Sequence, residues 1–148
     1  MAYDSFLLLA YLAIKYHADG ANRPRIEALT TALNAAGIDT ACVVRDLETW
    51  GRVHFAPDEL MRRSLALLDA TDLAVVDLTE KGVGLGIEAG YAFARGIPVV
   101  TVAQDGANIS TTLRGISQAV LRYSLPEDLV EPLLQLQERT QFQLKKEE

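Results

Sequence analysis

The sequence predicts an α/β domain, a doubly wound parallel sheet of five strands with helices on both faces. Three observations carry this. Short apolar runs alternate with helix-period segments along the chain, and the first run is apolar without a break, as a strand covered on both faces must be. The 148 residues, 49% hydrophobic and 23% charged, also match the size and make-up of one globular domain.

The elements follow in order. Phe6 to Ile14 reads as a buried strand. The run is preceded by Asp4 rather than a basic segment and is too short to span a membrane. Asn22 offers a helix N-cap and Pro24 suits the first turn. Ile26, Leu29, Leu33 and Ala36 then form one stripe that stops at Gly37. Ile38 to Val44 is the second strand. Residues 45 to 56 lack a period and predict a long functional loop or a partly ordered lid. Pro57, Asp58 and Glu59 open a helix that turns Leu60, Leu65 and Leu68 inward and ends near Asp69. Leu73 to Asp77 is the third strand. A glycine-rich turn and a helix to about Arg95 follow, closed by Gly96. Ile97 to Val102 is the fourth strand, and a polar loop leads to a fifth at Ala119 to Tyr123. Pro126 starts a last helix that frays from about residue 141. The chain thus reads as a single domain over 1–148, flavodoxin-like in strand order, with ligands expected in the loops after Ile14, Val44, Asp77 and Val102.

Composition narrows the function. Fourteen basic against twenty acidic residues give a net charge of −6, which argues against a protein that grips a DNA or RNA polymer by counterion release. One small anion remains compatible, because a phosphate needs only a few backbone amides and one or two cations. The single cysteine, Cys42, forms no intramolecular disulfide and reads as a small core residue, consistent with a reducing, cytoplasmic setting. His17 and His54 are isolated, so no metal site is expected, and no cofactor is called for. Trp50 and Phe55 either stack on a base from the long loop or cover the sheet edge.

The segment that carries chemistry is Asp77 to Ala92, which contains Gly82, Gly84 and Gly86 and then Glu88. Alternate glycines let the backbone turn tightly and let a ligand approach it. Glu88 falls in or near the first helical turn, where the amide dipoles would hold its pKa low and suit it to act as a carboxylate nucleophile. Two other readings stay open. Gly84-x-Gly86-x-x-Ala89 matches a short dinucleotide fingerprint, though after the third strand and without a ribose-binding acid. A purely structural glycine turn is the other.

Leu73 to Ala92, centred on Gly84-Leu85-Gly86-Ile87-Glu88-Ala89-Gly90-Tyr91-Ala92, resembles the signature of the nucleoside 2-deoxyribosyltransferase superfamily. Within it the chain is most similar to the 2'-deoxynucleoside 5'-phosphate N-hydrolases. Ser110 and Leu113-Arg114-Gly115 extend the likeness, which covers roughly residues 6 to 125 in element order. The resemblance implies the flavodoxin-like fold, a nucleotide or nucleoside as substrate, and Glu88 as the nucleophile on the anomeric carbon. A carboxylate suits that role because N-glycosidic cleavage builds positive charge on the sugar ring. Water releases free sugar in a hydrolase, and a second base does so in a transferase. The third outcome is a nucleotide-binding module that kept the fold and lost turnover.

The resemblance also implies a homodimer with shared active sites, in which Ser110 comes from the neighbouring subunit and helps hold the phosphate. Ile87, Tyr91 and Ala94 offer an apolar helix surface for such pairing. In the loop after the first strand, Lys15 either meets a 5'-phosphate or is simply solvated, with Tyr16, Arg23 and Arg25 nearby. Tyr11 or Tyr16 either hydrogen-bonds the nucleophile or sugar or only packs.

The chain departs from the family at two places. Ser64 stands where the family carries an aspartate that assists sugar and base, and neighbouring Asp69 and Asp72 are expected to face elsewhere. A serine donates and accepts hydrogen bonds but is neutral, which predicts slow turnover unless another acid has taken over, and a gain on Ser64→Asp if the rest of the pocket is family-like. The small turn after the first strand is replaced by Tyr11-Leu12-Ala13-Ile14-Lys15, which reshapes the expected 5' pocket.

Overall fold

The computed structural model describes residues 8–139. Phe6 and Leu7 at the predicted start of the first strand, and the tail from about 141, lie outside the described residues. Five strands, β1 (Leu8–Ala13), β2 (Ile38–Ala41), β3 (Leu73–Asp77), β4 (Val99–Gln104) and β5 (Ala119–Tyr123), form one all-parallel sheet in the order β2-β1-β3-β4-β5. This is the flavodoxin-like order, and it reverses direction between β1 and β3.

Side-chain alternation along each strand divides the core. Leu8, Ala10 and Leu12 of β1 point to one face with Val75 and Val100. There they meet Ile26, Leu29 and Leu33 of α1 (Arg23–Ala35) and Leu133 and Leu136 of α6 (Val130–Glu138). Tyr11 and Ala13 point to the other face with Ala74 and Val76. They pack with Leu68 of α3 (Pro57–Asp69), with Leu85, Ala89 and Ala92 of α4 (Val83–Ala94), and with Leu113 of α5 (Thr111–Ile116). Helices therefore cover both faces, and every strand but the two at the edges lies in a dry sandwich.

Several boundaries differ from the sequence reading, each for a local reason. The second strand ends at Ala41. Val43–Asp46 instead forms a single helical turn, α2, because the Asp46 carboxylate accepts from Cys42 N at 2.9 Å and is itself paired with Arg45. The polar loop before β5 contains α5, whose N-cap Ser110 accepts from Leu113 N at 3.3 Å. Asn22 precedes α1, but its side chain does not cap it. It donates to Lys15 O at 2.9 Å and ties the loop after β1 to the helix start.

The glycine-rich turn is the largest correction. Its backbone is already helical from Val83, with Gly82 as an extended N-cap, so Gly84 and Gly86 lie inside α4. Glycine weakens a helix by roughly 1 kcal/mol relative to alanine. Burial of Leu85, Ala89 and Ala92 against β3 and β4 outweighs that cost.

The loop leading into α4 is fixed by a buried carboxylate. Asp77, at the carboxyl end of β3, accepts from Thr79 N at 2.8 Å and from the Tyr123 hydroxyl at 2.6 Å, so both of its oxygens are satisfied. Further along, Glu80 Oε1 lies 2.5 Å from His17 Nε2 and joins this loop to the one after β1. Among the described residues no helix is long and apolar enough to cross a membrane.

Candidate active site

A cavity of about 500 Å³ opens at the carboxyl ends of β1 and β2, between α3 and the start of α4. It sits beside the point where the strand order reverses, the usual ligand crevice of this fold class. Its walls are mostly apolar, from Leu12, Ile14, Val43, Leu60, Met61 and Leu85. The polar groups converge from β1, α3, α4 and the loop after α2.

Glu88 is the central one. It is half-buried in the second turn of α4, on the helix face that also carries Leu85 and Gly84 into the cavity wall. The Tyr11 hydroxyl, buried on β1, donates to Glu88 Oε2 at 2.6 Å. Removal from water pushes the Glu88 carboxyl above the usual carboxylate range, and the Tyr11 hydrogen bond opposes that rise. The expected low pKa from the first helical turn is therefore corrected: Glu88 lies beyond that turn, and desolvation outweighs the bond that favours its anion. Tyr11 is driven far above its ordinary value by burial and by the adjacent Glu88, so it remains a donor. Ser64, 2% exposed on α3, stands beside the Tyr11 oxygen and acts in the opposite sense.

The other predicted residues divide into those the fold gathers and those it does not. Lys15, Tyr16, Gly82 and Gly84 line the mouth, where Lys15 Nζ donates to Lys81 O at 3.3 Å. Of the two tyrosines, Tyr11 meets the carboxylate and Tyr16 is half-exposed at the rim. Gly86 faces outward on α4, and Ser110, capping α5, is outside the cavity of its own chain. Arg23 pairs with Glu27 and lies 4.2 Å over the Trp50 ring, while Arg25 donates to Gln104. Neither arginine reaches the cavity wall. Trp50 packs on the core beside α1 and Phe55 is covered by Arg63 at 4.8 Å, so both aromatics are occupied away from the cavity. Asp69 accepts from Tyr91 and Arg95, and Asp72 accepts from Leu9 N. Both face elsewhere, as the sequence reading expected.

Two titratable lining residues were given no site role by the sequence reading. Cys42 sits in the wall with its thiol pushed up by burial. Glu48 lines the cavity from the loop after α2, and its only signal in the sequence was its place in the aperiodic stretch from 45 to 56. Among the described residues no group of three or more histidine, cysteine or carboxylate side chains is gathered to hold a metal.

The fold and the site together define a flavodoxin-like α/β domain with a carboxylate recessed in its switch-point crevice. No family model matches the chain. It is 28% identical over 133 residues to a protein of Thermofilum pendens that carries the provisional name 2'-deoxynucleoside 5'-phosphate N-hydrolase 1. That match spans 83% of this chain and 90% of the relative. Among solved structures, the 2-deoxyribosyltransferase of Bacillus psychrosaccharolyticus superposes with a TM-score of 0.65 at 16% identity, covering 82% of this chain and 90% of that one. The CMP N-glycosidase of Clostridium botulinum superposes with a TM-score of 0.60 at 21% identity, covering 84% and 96%. The resemblance to the nucleoside 2-deoxyribosyltransferase superfamily is thus met by a relative in sequence and by neighbours in fold.

Proposed function

We propose that the protein is an N-glycosidase that hydrolyses the base–sugar bond of deoxynucleoside 5'-monophosphates, with Glu88 as nucleophile. The observation that carries this reading is the recessed Glu88 carboxylate, held by the Tyr11 hydroxyl at 2.6 Å inside a cavity large enough for a nucleotide. A carboxylate oriented in this way attacks the anomeric carbon as the oxocarbenium charge develops, and water then hydrolyses the glycosyl ester. The mostly apolar wall accepts the flat faces of a base. At the mouth, the Val83 and Gly84 amides at the start of α4 precede the first turn's hydrogen bonds and lie beside Lys15 and the Cβ-free backbone of Gly82 and Gly84. Together they make a cradle for a 5'-phosphate.

We further propose that the active form is a homodimer with α4 at its interface. Val83, Ile87 and Phe93, 84%, 49% and 58% exposed, flank the outward glycines Gly86 and Gly90 on one side of this helix. Such a surface is costly to leave in water and permits close helix approach. The neighbouring α5 would bring Ser110 toward the partner's phosphate cradle.

The test is incubation with deoxynucleoside monophosphates and nucleosides, with and without an acceptor base. The proposal expects free base without acceptor, and faster with the monophosphates. Exchange that requires the acceptor would make the protein a transferase instead, and binding without product would make it a nucleotide-binding module.

A further inference from the structure

We propose that Glu48 is the acid that protonates the departing base, making it the second catalytic carboxyl of the cavity. This rests on the N-glycosidase reading above. Among the described residues Glu48 and Glu88 are the only carboxyl side chains lining the cavity. A nucleobase leaves as a poor anion unless it receives a proton as the bond breaks, so the chemistry calls for a donor in the same space as the nucleophile.

The two carboxyls sit in different surroundings. Glu88 holds the Tyr11 hydrogen bond, which favours its anion. No donor hydrogen-bonds the half-buried Glu48 carboxyl among the described residues, and only His54 acts on it through space. Burial pushes Glu48 above the usual carboxylate range and His54 opposes this. Two carboxyls, one with an anion-stabilising bond and one without, match the division between nucleophile and acid. The other candidates are engaged otherwise. The Tyr11 proton is committed to Glu88, Ser64 is a neutral alcohol, the Cys42 thiol is buried and pushed up, and Lys15 and Tyr16 stand at the mouth, where Lys15 donates to Lys81 O.

The loop that presents Glu48 is built at a conformational cost. Thr49, Trp50 and Gly51 follow it with φ of 48°, 56° and 90°, a left-handed run that threonine and tryptophan rarely adopt. The run persists because the backbone is tied on both sides. Glu48 N donates to Val43 O at 2.9 Å, Gly51 N and Val53 N both donate to Glu48 O at 3.0 Å, and Trp50 is clamped under Arg23.

A Glu88 oxygen bonds to the anomeric carbon as the C–N bond breaks, its electron pair passes to the base, and the Glu48 proton goes with it. Neutral base leaves, with a glycosyl ester on Glu88 and an ionised Glu48. Water then attacks the anomeric carbon while Glu48 takes its proton, which frees the sugar and restores both carboxyls.

The experiment compares wild type with Glu48→Gln on two substrates, a natural deoxynucleoside 5'-monophosphate and the 4-nitrophenyl glycoside of 2-deoxyribose 5-phosphate. The nitrophenolate leaves without a proton. Glu48→Gln is expected to slow base release about 10²- to 10⁴-fold and nitrophenol release less than tenfold, the signature of lost acid catalysis. The wild-type rate on the natural substrate should fall as pH rises through the Glu48 pKa, and that limb should be missing from the variant. The other titratable groups around the cavity, Tyr11, Lys15, Tyr16, Cys42 and Glu88, and His54 on the same loop, are unchanged by the substitution. An equal slowing on both substrates, or an unchanged rate of base release, would overturn the proposal alone. Release of neither product by wild type would overturn the N-glycosidase reading and this proposal with it.

Discussion

The Tyr11 hydroxyl donates to Glu88 Oε2 at 2.6 Å and so joins β1, at the switch point of the sheet, to the second turn of α4. The bond works against burial. It favours the Glu88 anion where desolvation disfavours it. Tyr11→Phe removes it without emptying the volume of the ring. The Glu88 pKa should then rise further, and the acidic limb of the rate profile should move to higher pH. A hydrogen bond to a charged group is worth roughly 1.5–3 kcal/mol, so the rate at neutral pH should fall about ten- to a hundredfold. An unshifted acidic limb in the Tyr11→Phe profile would mean the tyrosine only packs.

Glu88→Gln tests the nucleophile and the cost of keeping it. Base release should vanish. Stability should rise. A carboxyl whose folded pKa is raised contributes stability that is fully present below its unfolded pKa and is lost as pH rises through the folded one, so ionised Glu88 weakens the fold at neutral pH. Glutamine keeps the acceptor for Tyr11 and carries no charge. The expected result is a Tm higher by a few degrees at pH 7, with the gap closing toward pH 4, where wild-type Glu88 is protonated. A lower Tm at pH 7 would show that the charged form is not the strained one.

Much of this arrangement was legible in the sequence, and the parts that were not have physical reasons. β3 and β5 start and stop where the sequence placed them, because each is a short run led by apolar residues and bounded by polar ones. Glu88 was found by its motif, but for a reason that did not survive. Three glycines read as a turn, whereas the apolar residues between and after them draw the segment into a helix and carry Glu88 past the first turn. α5 was hidden because six residues give too little period to read, and its Ser110 cap has weight only once the helix is known. Glu48 could not be singled out at all. Its importance comes from a left-handed backbone run and from a cavity whose walls are distant in sequence.

The surroundings of Ser64 argue against the gain in activity that the sequence predicts for Ser64→Asp in an otherwise family-like pocket. Ser64 is buried beside the Tyr11 oxygen, so an aspartate there would accept the Tyr11 proton in competition with Glu88. It would also set a second negative charge near the nucleophile and push the Glu88 pKa up again. Ser64→Asp should therefore slow base release at neutral pH and move the acidic limb upward. Ser64→Ala, which only deletes a hydroxyl, should cost about 1 kcal/mol in stability and leave the limb nearly in place. If Ser64→Asp were faster than wild type at every pH, the aspartate would be reaching substrate rather than Tyr11.

The outer face of α4 yields the last prediction. Val83, Ile87 and Phe93 expose apolar surface on the same helix whose inner face holds Glu88, so self-association through this surface would bear directly on the active site. Ile87→Glu places a charge in the middle of that surface and touches neither the cavity wall nor the core. A charge buried without a partner in an interface costs several kcal/mol, enough to dissociate a dimer of ordinary affinity. Sedimentation should find the wild type as a dimer and Ile87→Glu as a folded monomer with an unchanged far-ultraviolet spectrum. Because Ser110 lies outside the cavity of its own chain, the monomer should lose the part of the preference for monophosphates over nucleosides that the partner's serine supplies. If it kept that preference in full, the phosphate would be held by the Val83 and Gly84 amides and Lys15 of one chain alone. A wild type that sediments as a monomer at assay concentration would remove the interface itself.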